Sequence, residues 1–321
     1  MSRLFRASAL AVLGALAAGA AAAYPTKPIT MIIPFPPGGS TDIVGRIVAE
    51  GLSQELGQPI VIDNRDGAGG TLGTGVAAKA GRDGYTLAMA TSSTHSVGPA
   101  VLARVEYDPI KDFRPVGLFA ETPYVLAVSP KVEAKTVKEL IDLAKSKPGA
   151  LNYGSAGVGS TTHLAGAMFV SAAGVKMEHV PYRGNAPATT ALMSGEIDVL
   201  MGSMPAVLSQ IKGGTIRALA VGSVRRSPEL PDVPTLQEAG LKDFEATLWL
   251  GLVAPAGVPD DVVKRLSEAV TKVVQKPDVA ERLRRNGAEP VTATPQEMGK
   301  LIQEELAKYR KIVEETGTRV K

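Results

Sequence analysis

Ile29-Thr30-Met31-Ile32-Ile33 runs straight into Pro34-Phe35-Pro36-Pro37-Gly38-Gly39-Ser40-Thr41-Asp42, and a helical pattern follows at once. A short apolar run ahead of a Pro- and Gly-rich break reads as a strand and its turn. Ile43, Val44, Ile47, Val48, Leu52 and Leu56 then recur at three- and four-residue spacing, and Gly57 stands where a C-terminal stop belongs. Ser40 or Thr41 is expected to cap the first turn. A Gly-rich turn at a helix N-terminus offers unpaired backbone N–H groups and the positive end of the helix dipole, which suits an anion. No lysine lies in the turn, so it looks built to hold a carboxylate rather than to activate a phosphate. An ordinary strand–loop–helix connection is the plainer reading of the same residues.

The unit repeats outward from there. Ile60-Val61-Ile62 leads to Asn64-Arg65-Asp66-Gly67-Ala68-Gly69-Gly70-Thr71 and a small-residue helix through Ala80; Tyr85 to Ala90 leads to Thr91-Ser92-Ser93-Thr94-His95. Each polar turn follows the carboxyl end of a strand, where open α/β sheets bind their ligands. Tyr124 to Val128 is an extended apolar run, and Thr136 to Lys147 is helical. A second series starts at Leu151-Asn152-Tyr153, passes through Gly154 to His163, and continues as a helix to Ala173. His179 to Tyr182, Asp198 to Met201 and Ala218 to Val221 read as strands, and Arg225 to Gly240 as a Pro-rich loop. Thr247 to Val253 is a second extended run, followed by helical segments at Asp260 to Gln275, Pro277 to Asn286 and Thr294 to Glu315. The alternation implies an α/β fold around a mostly parallel sheet.

The first residues read as an export signal. Arg3 and Arg6 supply a basic start, Ala9 to Ala20 an apolar stretch, and Ala21-Ala22-Ala23 a small-residue cleavage pattern before Tyr24. The stretch is shorter than the ~20 residues a membrane span needs. Without cysteine the new N-terminus cannot be lipidated, and the chain has neither disulfides nor thiolate chemistry. Without Arg3 and Arg6 the formal charge of +3 becomes +1. That balance argues against a nucleic-acid or anionic-membrane role, either of which needs a clustered basic face. About 300 remaining residues fit roughly two domains of ordinary size.

Most catalytic signatures fail on inspection. No lysine completes a phosphate-binding loop at Gly67 to Gly75, Leu72 stands where the third glycine of a dinucleotide fingerprint belongs, and no nucleophile elbow occurs. His95, His163 and His179 fit no metal-ligand spacing, so no metal or cofactor is expected. What remains is a set of uncharged donors: backbone N–H groups at Gly38, Gly39 and Gly157 to Ser160, with hydroxyls at Ser40, Thr41, Thr91 to Thr94 and Ser160 to Thr162. Ser92-Ser93-Thr94-His95 and Ser160-Thr161-Thr162-His163 echo one another, one in each half of the chain. They read either as coincident helix caps or as two anion-binding turns facing a shared cleft. Hydrogen bonds to a charged group contribute roughly 1.5–3 kcal/mol each, so four can support a Kd of about 1 μM, or about −8 kcal/mol. Arg183 is the best cationic candidate, against the plain reading of a surface arginine. Asp198 either faces the cleft or fixes a loop, and Trp249 either packs in the core or stacks on a ligand.

Several stretches resemble one family. Tyr24-Pro25-Thr26-Lys27-Pro28-Ile29, Pro37-Gly38-Gly39-Ser40-Thr41-Asp42, Gly159-Ser160-Thr161-Thr162-His163-Leu164-Ala165-Gly166, His179-Val180-Pro181-Tyr182-Arg183-Gly184, Leu230-Pro231-Asp232-Val233-Pro234-Thr235 and Trp249-Leu250-Gly251-Leu252 are similar, in order, to the Bug proteins. These are the TctC-type periplasmic solute-binding components of tripartite tricarboxylate transporters. The resemblance implies a type II periplasmic-binding-protein fold, a Venus flytrap of two α/β domains joined by two crossing strands. Residues 24–122 and 246–321 would form one domain and residues 123–245 the other, after a signal peptide over residues 1–23 cleaved behind Ala23. It implies a non-enzymatic periplasmic monomer that takes a small carboxylate (a dicarboxylate, acidic amino acid, citrate-like or aromatic acid) to membrane transporter subunits. The matching site residues would be Pro37, Gly38, Gly39, Ser40, Thr41 and Asp42; Thr91, Ser92, Ser93, Thr94 and His95; Gly157, Gly159, Ser160, Thr161, Thr162 and His163; and Arg183, Asn185 and Ala186, with Asp198 added from its own reading. The chain departs from the family pattern at Ala167-Met168, where a glutamate is usual, and at Gly98-Pro99, where Asn-Pro is usual. A sensor docking to a membrane partner, or a hydrolase using His95 or His163 as base, are the rival readings.

Overall fold

Isoleucine and methionine at every position but one make β1 (Ile29–Ile33) hydrophobic on both faces, and it is the inner strand of a parallel trio. A computed structural model describes residues 24–316; the export segment read from residues 1–23 lies outside the described residues. β1 pairs in parallel with β2 (Ile60–Asn64) on one side and β3 (Thr86–Thr91) on the other. Between these strands run α1 (Ser40–Leu56) and α2 (Thr71–Ala78). Helix α1 ends at Gly57 in the left-handed conformation (φ 68°), as its sequence position predicts. Its start differs from the expectation: Gly39 is the N-cap, no side chain caps the turn, and Ser40 is the first helical residue.

After β3 comes a π-helical turn, Ser93–Val97, and a short helix α3 (Gly98–Val101). The next strand, β4 (Phe113–Val128), is sixteen residues long and far exceeds the apolar run Tyr124 to Val128. It carries the chain from one half of the molecule to the other. There follow α4 (Val137–Ser146), β5 (Asn152–Ser155), α5 (Thr161–Ala173), β6 (Glu178–Pro181), α6 (Asn185–Ser194), β7 (Val199–Ser203), α7 (Met204–Lys212) and β8 (Arg217–Val221). The return strand is β9 (Thr247–Pro255), and α8 (Asp260–Gln275), α9 (Pro277–Arg285), β10 (Glu289–Ala293) and α10 (Pro295–Thr316) complete the described chain.

The first lobe is the sheet β2-β1-β3-β9-β4, with β9 and β10 antiparallel to the first part of β4 (Phe113↔Pro255, Glu289↔Glu121). In the second lobe β5 lies in parallel between β6 and β7, while β7 and β8 flank the last five residues of β4. A triad of backbone bonds marks the crossing: Tyr124 N to Ala246 O (3.2 Å), Ala246 N to Gly222 O (2.8 Å) and Gly222 N to Tyr124 O (2.7 Å). The chain is thus two α/β halves joined by two strands. Strand periodicity sorts the cores: Ile29, Met31 and Ile33 pack with Val44, Val48, Leu52, Leu266 and Val270, while Ile32 joins Trp249, Met298 and Ile302 on the other face. Each such fully buried aliphatic side chain contributes roughly 1.5–3 kcal/mol.

Candidate functional site

Parallel βα units put every helix N-terminus at the carboxyl edge of its sheet, and here those edges face each other. Helix α1 starts after β1, α5 after β5, α6 after β6 and α7 after β7. The Asn185 amide at the head of α6 donates to Ser40 Oγ at the head of α1 (3.2 Å) and to Ser203 Oγ just before α7 (3.0 Å). Three helix N-termini therefore converge at Asn185, each with first-turn N–H groups free of intrahelical partners, while the head of α5 faces the Ser93 turn through Thr161.

On the first lobe the Gly38–Asp42 turn is stiffened from within. Asp42, 4% exposed, accepts from Gly38 N (2.9 Å), Arg46 Nε (3.0 Å) and Asn64 Nδ2 (3.0 Å). Burial alone would raise its pKa, but the Arg46 guanidinium and the two N–H donors outweigh that and hold the carboxyl below its usual range. The Gly38 N–H, expected to be free, is thus already occupied, and Asp42 is a brace that shapes the turn. Gly39, Ser40 and Thr41 remain at the helix end.

The Thr91–His95 stretch divides in two. Thr94 Oγ1 ties back to Thr91 N (3.1 Å) and to His95 Nδ1 (2.9 Å), and His95 packs edge-on against Phe113 with ring centroids 4.9 Å apart. Burial pushes the His95 pKa down to about 3, so the ring is neutral at physiological pH. It is a residue of the π-helical turn that faces the core. Ser93 points the other way: its Oγ meets Thr161 Oγ1 (2.8 Å) and accepts from Thr161 N (3.0 Å) on the opposite lobe. Ser92 Oγ is buried with no hydrogen-bond partner among the described residues.

The second lobe supplies an arch from Gly157 to His163. Ser160 caps α5 by accepting from His163 N (3.2 Å), Thr162 Oγ1 accepts from Ala156 N (2.8 Å), and Thr161 also bonds the Tyr124 hydroxyl on the crossing strand. His163 stacks on His179 with centroids 4.1 Å apart. Burial lowers both pKa values, that of His179 to about 4, and the neighbouring imidazole adds to the effect there. Across the seam, a Cβ at Gly69 would lie 2.8 Å from Val158 O, and one at Gly38 would lie 3.9 Å from Ala186 Cβ. The lobes are closed on each other, and Ser93 of the first hydroxyl turn bonds Thr161 of the second.

One expected residue stands apart. Asp198 exchanges hydrogen bonds with Asn152 (Asn152 N to Asp198 Oδ2 and Asp198 N to Asn152 Oδ1, both 2.9 Å) at the amino ends of β5 and β7. It fixes a loop at the edge of the sheet remote from the seam. Arg183 is exposed beside the seam, next to Gly184, where a Cβ would lie 2.6 Å from Pro36 on the opposite lobe, while Trp249 is buried and donates to Glu305 (2.7 Å), a core role. Sequence reasoning missed Ser203, Asn64 and the Tyr124 hydroxyl; the cue for Ser203 was its place at a strand's carboxyl end, directly before Met204-Pro205. A cavity of about 700 Å³ beside the crossings is walled by already paired charges such as Arg284–Glu289 and Arg285–Glu281, with no converging helix ends. Among the described residues no cluster of His, Cys, Asp and Glu could hold a metal ion, and no helix is long and apolar enough to cross a membrane.

Comparison with known proteins agrees with this architecture. Residues 44–318 match the tripartite tricarboxylate transporter family receptor, TctC. The chain belongs to the TctC family. BugT of Bordetella pertussis is 37% identical over 313 residues, which is 97% of this chain and 96% of that protein. An R. palustris protein solved with adipate is 35% identical with a TM-score of 0.89, covering 92% of this chain and 98% of that one. MatC from Rhodopseudomonas palustris, solved with bound malate, is 34% identical with a TM-score of 0.86, covering 90% and 100%. TctC proteins are periplasmic solute receptors rather than enzymes, so the hydrolase reading falls, in keeping with the packed His95. The fold is that of solved periplasmic binding proteins of this family, among them BugD, which is 33% identical with a TM-score of 0.89 and covers 92% of this chain and 99% of that one.

Proposed function

We propose that this chain is an exported receptor that closes on a small organic carboxylate and presents it to the membrane subunits of a tripartite transporter. The observation that carries the reading is the seam itself. Three helix N-termini come together where Asn185 meets Ser40 (3.2 Å) and Ser203 (3.0 Å), and the head of α5 faces the other lobe's hydroxyl turn where Ser93 meets Thr161 (2.8 Å). Uncharged donors with aligned helix dipoles stabilise a carboxylate in a dry cleft without demanding a counter-ion. One carboxylate is assigned to the N–H groups of Gly39–Thr41 with the Ser92 hydroxyl, and the far end of the ligand to Ser160–Thr162 and the head of α6. The adipate and malate held by two relatives are of this chemical class.

In this reading residues 24–122 and 246–321 move as one body and residues 123–245 as the other, hinged near Pro123–Tyr124 and Ala246–Thr247. Ligand favours closure because only the closed form lets both lobes touch it. The mature protein begins at Tyr24 and acts as a monomer without nucleic acid. Thermal unfolding against a carboxylate panel tests the proposal: a ligand at 100 times its Kd should add about 2.7 kcal/mol. No stabilisation by any small mono-, di- or tricarboxylate would refute it.

A further inference from the structure

Asn185 is the first residue of α6 and is 8% exposed. Its backbone is fixed by the helix, where its carbonyl accepts from Thr189 Oγ1 (2.9 Å). Its side-chain nitrogen reaches two hydroxyls, Ser40 Oγ on the opposite lobe and Ser203 Oγ on its own. A primary amide has two N–H donors, so both are used there. The other end of the amide is different. Asn185 Oδ1 is buried and has no hydrogen-bond partner among the described residues.

A buried amide oxygen is acceptor-only, and it is costly to leave unpaired. A carboxylate cannot satisfy it, because two acceptors repel. An O–H or N–H can. The surrounding hydroxyls and helix ends already provide what a carboxylate requires, so this oxygen addresses a different part of the ligand. We infer that Asn185 selects for a hydrogen-bond donor on the ligand, making the preferred class hydroxy- or amino-substituted dicarboxylates over unsubstituted ones. The inference rests on the carboxylate-receptor reading above and narrows its ligand class. Sites built around one substrate hydroxyl reject the analogue that lacks it, because the protein group is then buried unpaired.

The test is calorimetric titration of the full mature chain with matched acids: succinate, malate and aspartate, then glutarate, 2-hydroxyglutarate and glutamate. At the chain length the cleft accepts, a substituted member should bind at least tenfold more tightly than the plain acid. In Asn185→Leu, which keeps the bulk and removes the oxygen, the ratio should collapse to within about threefold through loss of the substituted member. Should that variant not fold, Asn185→Ala takes its place, with the same collapse of the ratio expected. Plain acids binding as tightly as their substituted partners would overturn the inference and leave the carboxylate reading standing, with the amide then turning its N–H groups to a carboxylate. A preference that persists unchanged in Asn185→Leu would also overturn it. No binding by any member of either series would remove the carboxylate reading itself, and this inference with it.

Discussion

A single methyl group at Gly69 should prop the receptor open. Gly69 lies on the first lobe with φ +64°, and a Cβ there would sit 2.8 Å from Val158 O and 3.2 Å from Ser160 N, both backbone atoms of the opposite lobe. Ordinary carbon contacts are about 3.5 Å, so Gly69→Ala forces the lobes apart locally by roughly 0.5 Å. The cross-seam bonds Ser93–Thr161 (2.8 and 3.0 Å) and Asn185–Ser40 (3.2 Å) then stretch to or past the limit of useful geometry. Three such bonds at about 0.5–1.5 kcal/mol each amount to about 1.5–4.5 kcal/mol, or about 13- to 2000-fold in Kd. Alanine at positive φ also costs roughly 1–2 kcal/mol, but that strain lies within one lobe and weighs on open and closed forms alike. Gly174→Ala separates the two effects, since Gly174 has φ +60° and nothing within 4 Å of its Cβ position. Both variants should melt lower than the parent, and only Gly69→Ala should lose affinity in calorimetry and stay expanded with ligand in small-angle scattering. If Gly69→Ala binds within threefold of Gly174→Ala, the closed seam is not the ligand-holding form and the reasoning fails.

Stability should fall as the solution is acidified below neutrality. The folded chain keeps His95 unprotonated down to about pH 3 while the unfolded chain takes up a proton near pH 6.5, so the loss begins below about pH 6.5. It reaches about 2 kcal/mol from this residue by pH 5, with His163 and His179 acting in the same direction; urea melts of the parent and of His95→Asn at pH 7.5 and 5 should show the slope shrinking in the variant. Gly45→Ala places a Cβ against the Met89 sulfur and 2.8 Å from Ile33 Cδ1, and should destabilise by about 1–3 kcal/mol in denaturant melts while ligand affinity of the folded fraction is unchanged. Thr136→Ala removes the cap that accepts from Glu139 N (3.1 Å) on α4, and should cost about 1 kcal/mol with no change in Kd.

The parts of the fold that were legible are those whose hydrophobic pattern is local. β1 and α1 could be read because a strand buried on both faces must be apolar throughout, and because the helix repeats its core residues every three or four positions. β10 could not: Glu289-Pro290-Val291-Thr292-Ala293 has almost no apolar alternation, and it is a strand because β4 offers an edge to pair with. The first half of β4 was hidden in the same way by Arg114, Pro115, Gly117 and Glu121, which only the pairing with β9 makes extended. The site shows the limit more sharply. Its loops were visible as polar turns after strands, yet which of their atoms are free depends on partners far away in sequence. Asp42 takes the Gly38 N–H, Asn152 takes Asp198, and Thr161 finds Ser93 across 68 residues. With Gly39 rather than Ser40 as the cap of α1, the Ser40 hydroxyl is released from its own helix and is spent on Asn185, 145 residues on. That exchange leaves Asn185 Oδ1 unpaired in a closed seam. A receptor whose donors are all uncharged gains its selectivity from such leftovers, because carboxylate binding is a property of any convergent set of helix ends, whereas a single unpaired acceptor distinguishes one acid from the next.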